Sequence, residues 1–272
     1  MKESSLDKKS IDFRKNIIRM IDCARRGHIG SAFSIVEIMR VLYEDVLRID
    51  PKNPSWEDRD RFILSKGHGC LALYVALAEK GFISSEELSR FCEFNSILGG
   101  HPQYGKVPGV EASTGSLGHG LSIGVGIALN GKIDNKDYRT FVLLGDGECN
   151  EGSVWEAAMC ASKHKLNRLV ALIDYNKMQC YGPICEVQDL EPFADKWRSF
   201  GFNVKEVDGH DMGALCNILK SVPFDTQRPQ AIICHTVKGK GICSLEGNAS
   251  SHHKSRIKDE EIEAFLNELE KY

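Results

Sequence analysis

The chain reads as an α/β protein, a doubly wound and mostly parallel sheet flanked by helices. Two observations predict this. Short apolar runs rich in β-branched residues alternate with longer stretches of helical periodicity. Between 138 and 174 these form a strand, helix, strand unit, whose right-handed crossover sets two strand ends side by side.

In chain order, residues 11–26 (IDFRKNIIRMIDCARR) carry apolar residues at helical spacing, with Gly27 as the stop. Residues 34–46 form a second amphipathic helix with Ser34 as its cap. Pro51 and Pro54 end it in a turn. Residues 62–64 are a short strand leading into His68, which opens the helix 69–81. The Gly-interspersed segment 120–131 suits a helix packed very closely on a neighbour. Residues 138–144 form a buried strand. A helix follows from Val154, with Trp155, Ala158, Met159 and Leu166 roughly on one face, and then a strand over 169–174. Residues 204–207 and 231–234 are further strands, and 258–272 a charged amphipathic tail.

The chemistry concentrates at Gly145-Asp146-Gly147, which ends one strand, and at Asn176, which follows the next. The crossover brings both to the crevice where open α/β sheets bind ligands. One carboxylate and one amide oxygen suit Mg²⁺, which takes about six oxygens and shares them among few protein groups, phosphates and water. The Met178 carbonyl is a further candidate ligand, and the glycines let backbone approach phosphate. The blander reading is that such residues form turns.

The blocks Gly27-His28-Ile29-Gly30-Ser31, Ser65-Lys66-Gly67-His68-Gly69, Gly100-His101-Pro102, residues 113–120 (STGSLGHG) and the Gly145 block stand in order along nearly the whole chain. They resemble successive signatures of the thiamine diphosphate-dependent transketolases, in the diphosphate-binding (PP) domain. The resemblance implies that Asp146, Asn176 and the Met178 carbonyl bind Mg²⁺ or another divalent cation, and that Gly147 and His68 contact the diphosphate. It implies that Gly115 and Leu117 meet the cofactor's rings, and that His28 and His101 are catalytic, facing the reacting carbon and the sugar. Glu151, on the cofactor side, and Glu156 resemble carboxylates that meet their counterparts across a dimer interface. His252 resembles a histidine for cofactor and substrate, although Ser251-His252-His253-Lys254 departs from the family pattern and leaves open which histidine acts. His164, His210 and His235 read as ordinary satisfied histidines. The loop 235–241 (HTVKGKG) resembles a segment that closes over the cofactor region.

With 272 residues the chain suits one large domain, 1–272, and leaves no room for the pyrimidine-binding and C-terminal domains of a full transketolase. The expectation is one subunit of a split, heteromeric enzyme, completed by a C-terminal transketolase subunit in an α₂β₂ assembly and inactive alone. The reaction implied is transfer of a two-carbon ketol unit from a ketose to an aldose, with sugar phosphates as substrates. The alternatives are a carboligase for a modified sugar, a 2-oxo acid dehydrogenase α subunit, and a non-catalytic scaffold.

A net charge of -3 with 27% charged residues gives no reason to expect nucleic acid or membrane partners. The polar start and the lack of an apolar run near the ~20 residues that span a bilayer point to the cytoplasm. No C-x-x-C occurs among the 10 cysteines; Cys23, Cys70, Cys160, Cys216 and Cys234 fall in apolar segments and read as small core residues.

Overall fold

Strands that are apolar on both faces need helices on both sides, and the chain supplies them in alternation. The structure, a computed structural model, describes residues 6–249 and 254–272, so His252 and His253 lie outside the described residues. Helix α1 (Lys8–Ala24) starts at Asp7, whose Oδ1 accepts from Ser10 N at 2.7 Å. It stops before the expected Gly27: Arg25 takes φ 55°, its N–H donates to Ile21 O, and its side chain is held by Asp22 and Asp259. That early stop frees β1 (Arg26–Gly27) to pair antiparallel with residues 254–255.

After α2 (Ile29–Phe33) comes α3 (Val36–Val41), which continues as a π turn over Leu42–Val46. Ser34 is not its cap. The hydroxyl that would cap α3 donates instead to Asp174 Oδ2 at 2.7 Å, a tertiary bond the local pattern does not reveal. Strand β2 (Arg61–Leu64) leads through a tight turn into α4 (Cys70–Lys80). Then follow α5 (Gly120–Ile133), β3 (Thr140–Gly145), α6 (Gly152–Lys163), β4 (Leu169–Tyr175), α7 (Ile184–Val187), α8 (Phe193–Ser199), β5 (Asn203–Asp208), α9 (Met212–Lys220), β6 (Gln230–His235), β7 (Lys254–Ser255) and α10 (Asp259–Leu269).

The five long strands are all parallel in the order β2-β3-β4-β6-β5. Side chains alternate across the sheet, and both sets are apolar. Phe62, Leu64, Phe141, Leu143, Leu172 and Ile232 pack with α1 to α4, α9 and α10. Ile63, Val142, Leu144, Ala171, Ile173 and Ile233 pack with α5, α6 and α8. The apolar face expected for α6 is only partly the one it buries. Val154, Ala157, Ala158 and Ala161 are the buried residues, while Met159 is 54% exposed, because small side chains are what let α6 lie close to its neighbours. Cys23 is also exposed rather than core; Cys70 and Cys234 are buried, and Cys160 and Cys216 half-buried. His210 is buried and satisfied, its Nδ1 lying 2.8 Å from Glu37 Oε2. Among the described residues no helix is long and apolar enough to cross a membrane.

Connections leaving β4 run outward through α7 and α8 to the edge strand β5, and α9 returns on the opposite face to β6. Strands β4 and β6 are therefore neighbours whose chains leave in different directions, which opens a crevice at their carboxyl ends.

The close approach of α5 to the sheet rests on Gly124, where an added Cβ would lie 2.5 Å from Val142 Cγ2, on a stiff β-branched residue inside the sheet. Gly126, on the same helix, has nothing within 4 Å of such a Cβ. Gly124→Ala is expected to cost about 1–3 kcal/mol in urea unfolding, and Gly126→Ala to be neutral or to stabilise by up to about 1 kcal/mol. Equal effects at the two positions would contradict this packing.

Candidate cofactor site

A parallel sheet delivers all its strand ends to one side, and four of them open here onto a cavity of about 460 Å³. Every described residue expected at the site lines it: His28, His68, His101, Gly115, Leu117, Asp146, Gly147, Glu151, Asn176 and Met178. His252 lies outside the described residues. Glu156 stands exposed on α6, away from the cavity.

Asp146 ends β3 and is 2% exposed. Its Oδ1 accepts from Gly147 N at 2.7 Å and its Oδ2 from Lys177 N at 2.5 Å, so the loop after β4 is fastened to the loop after β3. Burial, and then the neighbouring Asp174 carboxylate, push the Asp146 carboxyl up to about 7 against those hydrogen bonds and the Lys66 charge. Asp174 goes the other way. Burial alone would raise it, but the Lys66 ammonium and hydrogen bonds from Lys66, Thr236 and Ser34 outweigh that and hold it below the ordinary carboxylate range. Of the two carboxylates, Asp174 is thus the one that keeps its charge without a ligand.

Asn176 is oriented by this arrangement. Its Nδ2 donates to Asp174 Oδ2 at 2.8 Å, and because a carboxylate only accepts, the amide oxygen must face away from Asp174. That oxygen accepts from Met178 N at 3.0 Å. Asp146, the Asn176 oxygen and the Met178 carbonyl are hard oxygen donors on one wall. Among the described residues no three His, Cys, Asp or Glu side chains are grouped for a metal, so the donor set here is one carboxylate with neutral oxygens, which suits magnesium shared with a phosphate.

Facing those oxygens are groups that favour an anion. Lys238, 2% exposed, places Nζ 3.2 Å from Met178 O and 3.4 Å from Gln179 O. Burial, and then Lys66, push its pKa down to about 8. Gln179 Nε2 is a buried donor on the same lining with no hydrogen-bond partner among the described residues. An anion accepting from both would satisfy the orphaned amide and restore the lysine's charge. The cavity therefore fits a metal-bound diphosphate by its donor set and by its unsatisfied donor.

At the other end the rings of His28 and His68 lie 5.6 Å apart, and those of His28 and His101 6.0 Å. Gly115 is required beside them: at φ +141° its added Cβ would lie 3.1 Å from His101 ring carbons. Glu148 ties the surrounding loops. Its carboxylate accepts from Ser65 Oγ, from Gly118 N at 2.9 Å and from Gly145 N at 3.1 Å, joining the turns that bear His68, Leu117 and Asp146. In the 235–241 loop, Gly239 N donates to Gly30 O at 3.1 Å, seating Lys238 over the cavity.

Sequence reasoning gave no role to Ser31, Lys66, Glu148, Gln179 or Cys180, all of which line the cavity. Lys66 and Glu148 sit inside the glycine-rich blocks, so a charged residue amid glycines was the available signal; Gln179 carried none.

Removing the cation from the buried pair tests the arrangement. Lys66→Met strands Asp174 and is expected to cost about 3–5 kcal/mol in urea unfolding, and a further Asp174→Asn change should recover part of it. A loss below about 1 kcal/mol would refute the pairing.

The chain matches the family model "Transketolase, thiamine diphosphate binding domain" over residues 7–270. It is 45% identical over 253 residues to a subunit of an apulose-4-phosphate transketolase of Phocaeicola vulgatus, covering 93% of this chain and 90% of that one. It is 39% identical over 276 residues to the 6-deoxy-6-sulfo-D-fructose transketolase subunit SqwG of a Clostridium, covering 100% and 99%. The fold is shared with the transketolase of Campylobacter jejuni at a TM-score of 0.87 and 29% identity, over 97% of this chain but 43% of that one. The strand-end cavity and these likenesses agree, and the chain belongs to the transketolase family, in its thiamine diphosphate-binding domain.

Proposed function

We propose that the chain is the cofactor-binding subunit of a heteromeric transketolase that transfers a two-carbon ketol unit between sugars. The observation that carries this is the convergence, in one cavity, of the Asp146, Asn176 and Met178 oxygens with His28, His68 and His101. Two relatives similar over 90% or more of their own length are named as transketolase subunits, which supports a second, partner chain here. That partner is a C-terminal chain carrying the pyrimidine-binding domain, in an α₂β₂ assembly.

Thiamine diphosphate, when bound, supplies the electron sink on which a two-carbon fragment is held between donor and acceptor. The chain's own residues do the rest. Asp146, Asn176 and the Met178 carbonyl would hold a divalent cation, and His68, Lys238 and, once Asp146 turns from it to the metal, Gly147 N would hold the diphosphate oxygens. Gly115 and Leu117 support the rings with backbone. His28 and His101 bind the sugar hydroxyls and carbonyl oxygen, and move protons there as the carbon-carbon bond breaks and forms. Asp174 and Glu148 fix these groups in place through their hydrogen bonds. The names of the relatives support a sugar substrate bearing phosphate or sulfonate.

The test is reconstitution. Either chain alone should be inactive, and a mixture with the C-terminal subunit, thiamine diphosphate and Mg²⁺ should transfer two carbons from a ketose to an aldose. Asp146→Ala should lower that rate at least about a hundredfold while the two chains still co-elute. Full activity of the variant, or of the wild-type chain alone, would overturn the reading.

Acidity gives an independent check. Metal must displace the proton that Asp146 holds below a pKa of about 7, so Mg²⁺-dependent binding of thiamine diphosphate, read by fluorescence, should weaken about tenfold from pH 8 to pH 6. A flat profile would contradict a proton on Asp146 that the metal has to displace.

A further inference from the structure

A second cavity, of about 380 Å³, adjoins the first through His28 and His101, which line both. Its far wall is apolar, with Leu71 and Phe91 buried there. Its permanent charge is Arg26, and Ser255 adds a hydroxyl; among the described residues that line it there is no carboxylate.

An exposed arginine is ordinarily a solvated surface charge, so its setting decides. Arg25, next in the chain, is held by Asp22 and Asp259. The Arg26 guanidinium has no hydrogen bond or ion pair among the described residues. Its backbone is fixed, because Arg26 pairs with Ser255 in the small antiparallel sheet. Arg26 and His28 both line this cavity, so the guanidinium and the imidazole can meet one small ligand.

We infer that Arg26 is a specificity residue that receives the terminal oxyanion, phosphate or sulfonate, of a sugar whose reacting end lies between His28 and His101. The inference rests on the two-carbon transfer proposed above. A guanidinium presents paired N–H donors that match a tetrahedral oxyanion, and among the described residues no carboxylate competes for them in this cavity. The apolar wall fits the carbon side of the chain and leaves the hydroxyls to the histidines.

The experiment uses the reconstituted assembly with matched sugars ending in phosphate, in sulfonate or in an uncharged hydroxymethyl group. Arg26→Ala should raise KM for an anionic sugar about tenfold relative to the uncharged one, with kcat little changed, and Arg26→Lys should restore most of the difference. The arm with the larger shift identifies phosphate or sulfonate as the ligand. Equal KM changes for charged and uncharged sugars, a loss confined to kcat, or no change sinks the subsite while the transfer reaction stands. If the wild-type assembly transfers no two-carbon unit with any sugar, the proposed function falls, and the subsite with it.

Discussion

The buried pair of Lys66 and Asp174 is the interaction on which this architecture turns. Lys66 follows β2, Asp174 lies in β4, and both are almost wholly excluded from water. A lone charge there would be prohibitive, so each holds the other in place. Asp174 also accepts from Ser34, Thr236 and Asn176, which come from the segment before α3, from the end of β6 and from the loop after β4. One carboxylate thereby assembles the floor of the cavity and aims the Asn176 oxygen.

The same network explains why two neighbouring carboxylates behave differently. Asp174 is neutralised within the protein and needs nothing more. Asp146 is buried beside that negative charge with only amide donors, and is left holding a proton up to about neutral pH. A carboxyl in this state is one that a bound cation would complete. Lys238 and Gln179 are incomplete in the opposite sense, so the cavity offers acceptors on one wall and donors on the other.

Much of this was legible in the sequence. The apolar runs that became β3, β4 and β6 fell within two residues of their observed ends, because a strand buried on both faces leaves an unbroken signature. Local capping signals were weaker guides. Ser34 looked like a helix cap and serves Asp174, since a buried tertiary hydrogen bond outweighs a cap worth about 1 kcal/mol; Gly27 looked like a stop, and Arg25 makes it in the left-handed conformation. Met159 was placed with Trp155 and Ala158 by helical spacing, whereas the helix buries its alanines.

The fold class and the order of the motifs were legible in the linear sequence, because periodicity and short-range chemistry are recorded in a string of residues; the residues expected at the cofactor followed from the resemblance of those motifs to a family. It took the closed fold to establish that Lys66 answers Asp174, that Glu148 joins three loops, that Lys238 comes to rest on the Met178 carbonyl, and that Arg26 looks into a cavity shared with His28 and His101. Such pairings join positions far apart in the chain, and their energies depend on burial, which no single residue carries before the sheet is covered on both sides.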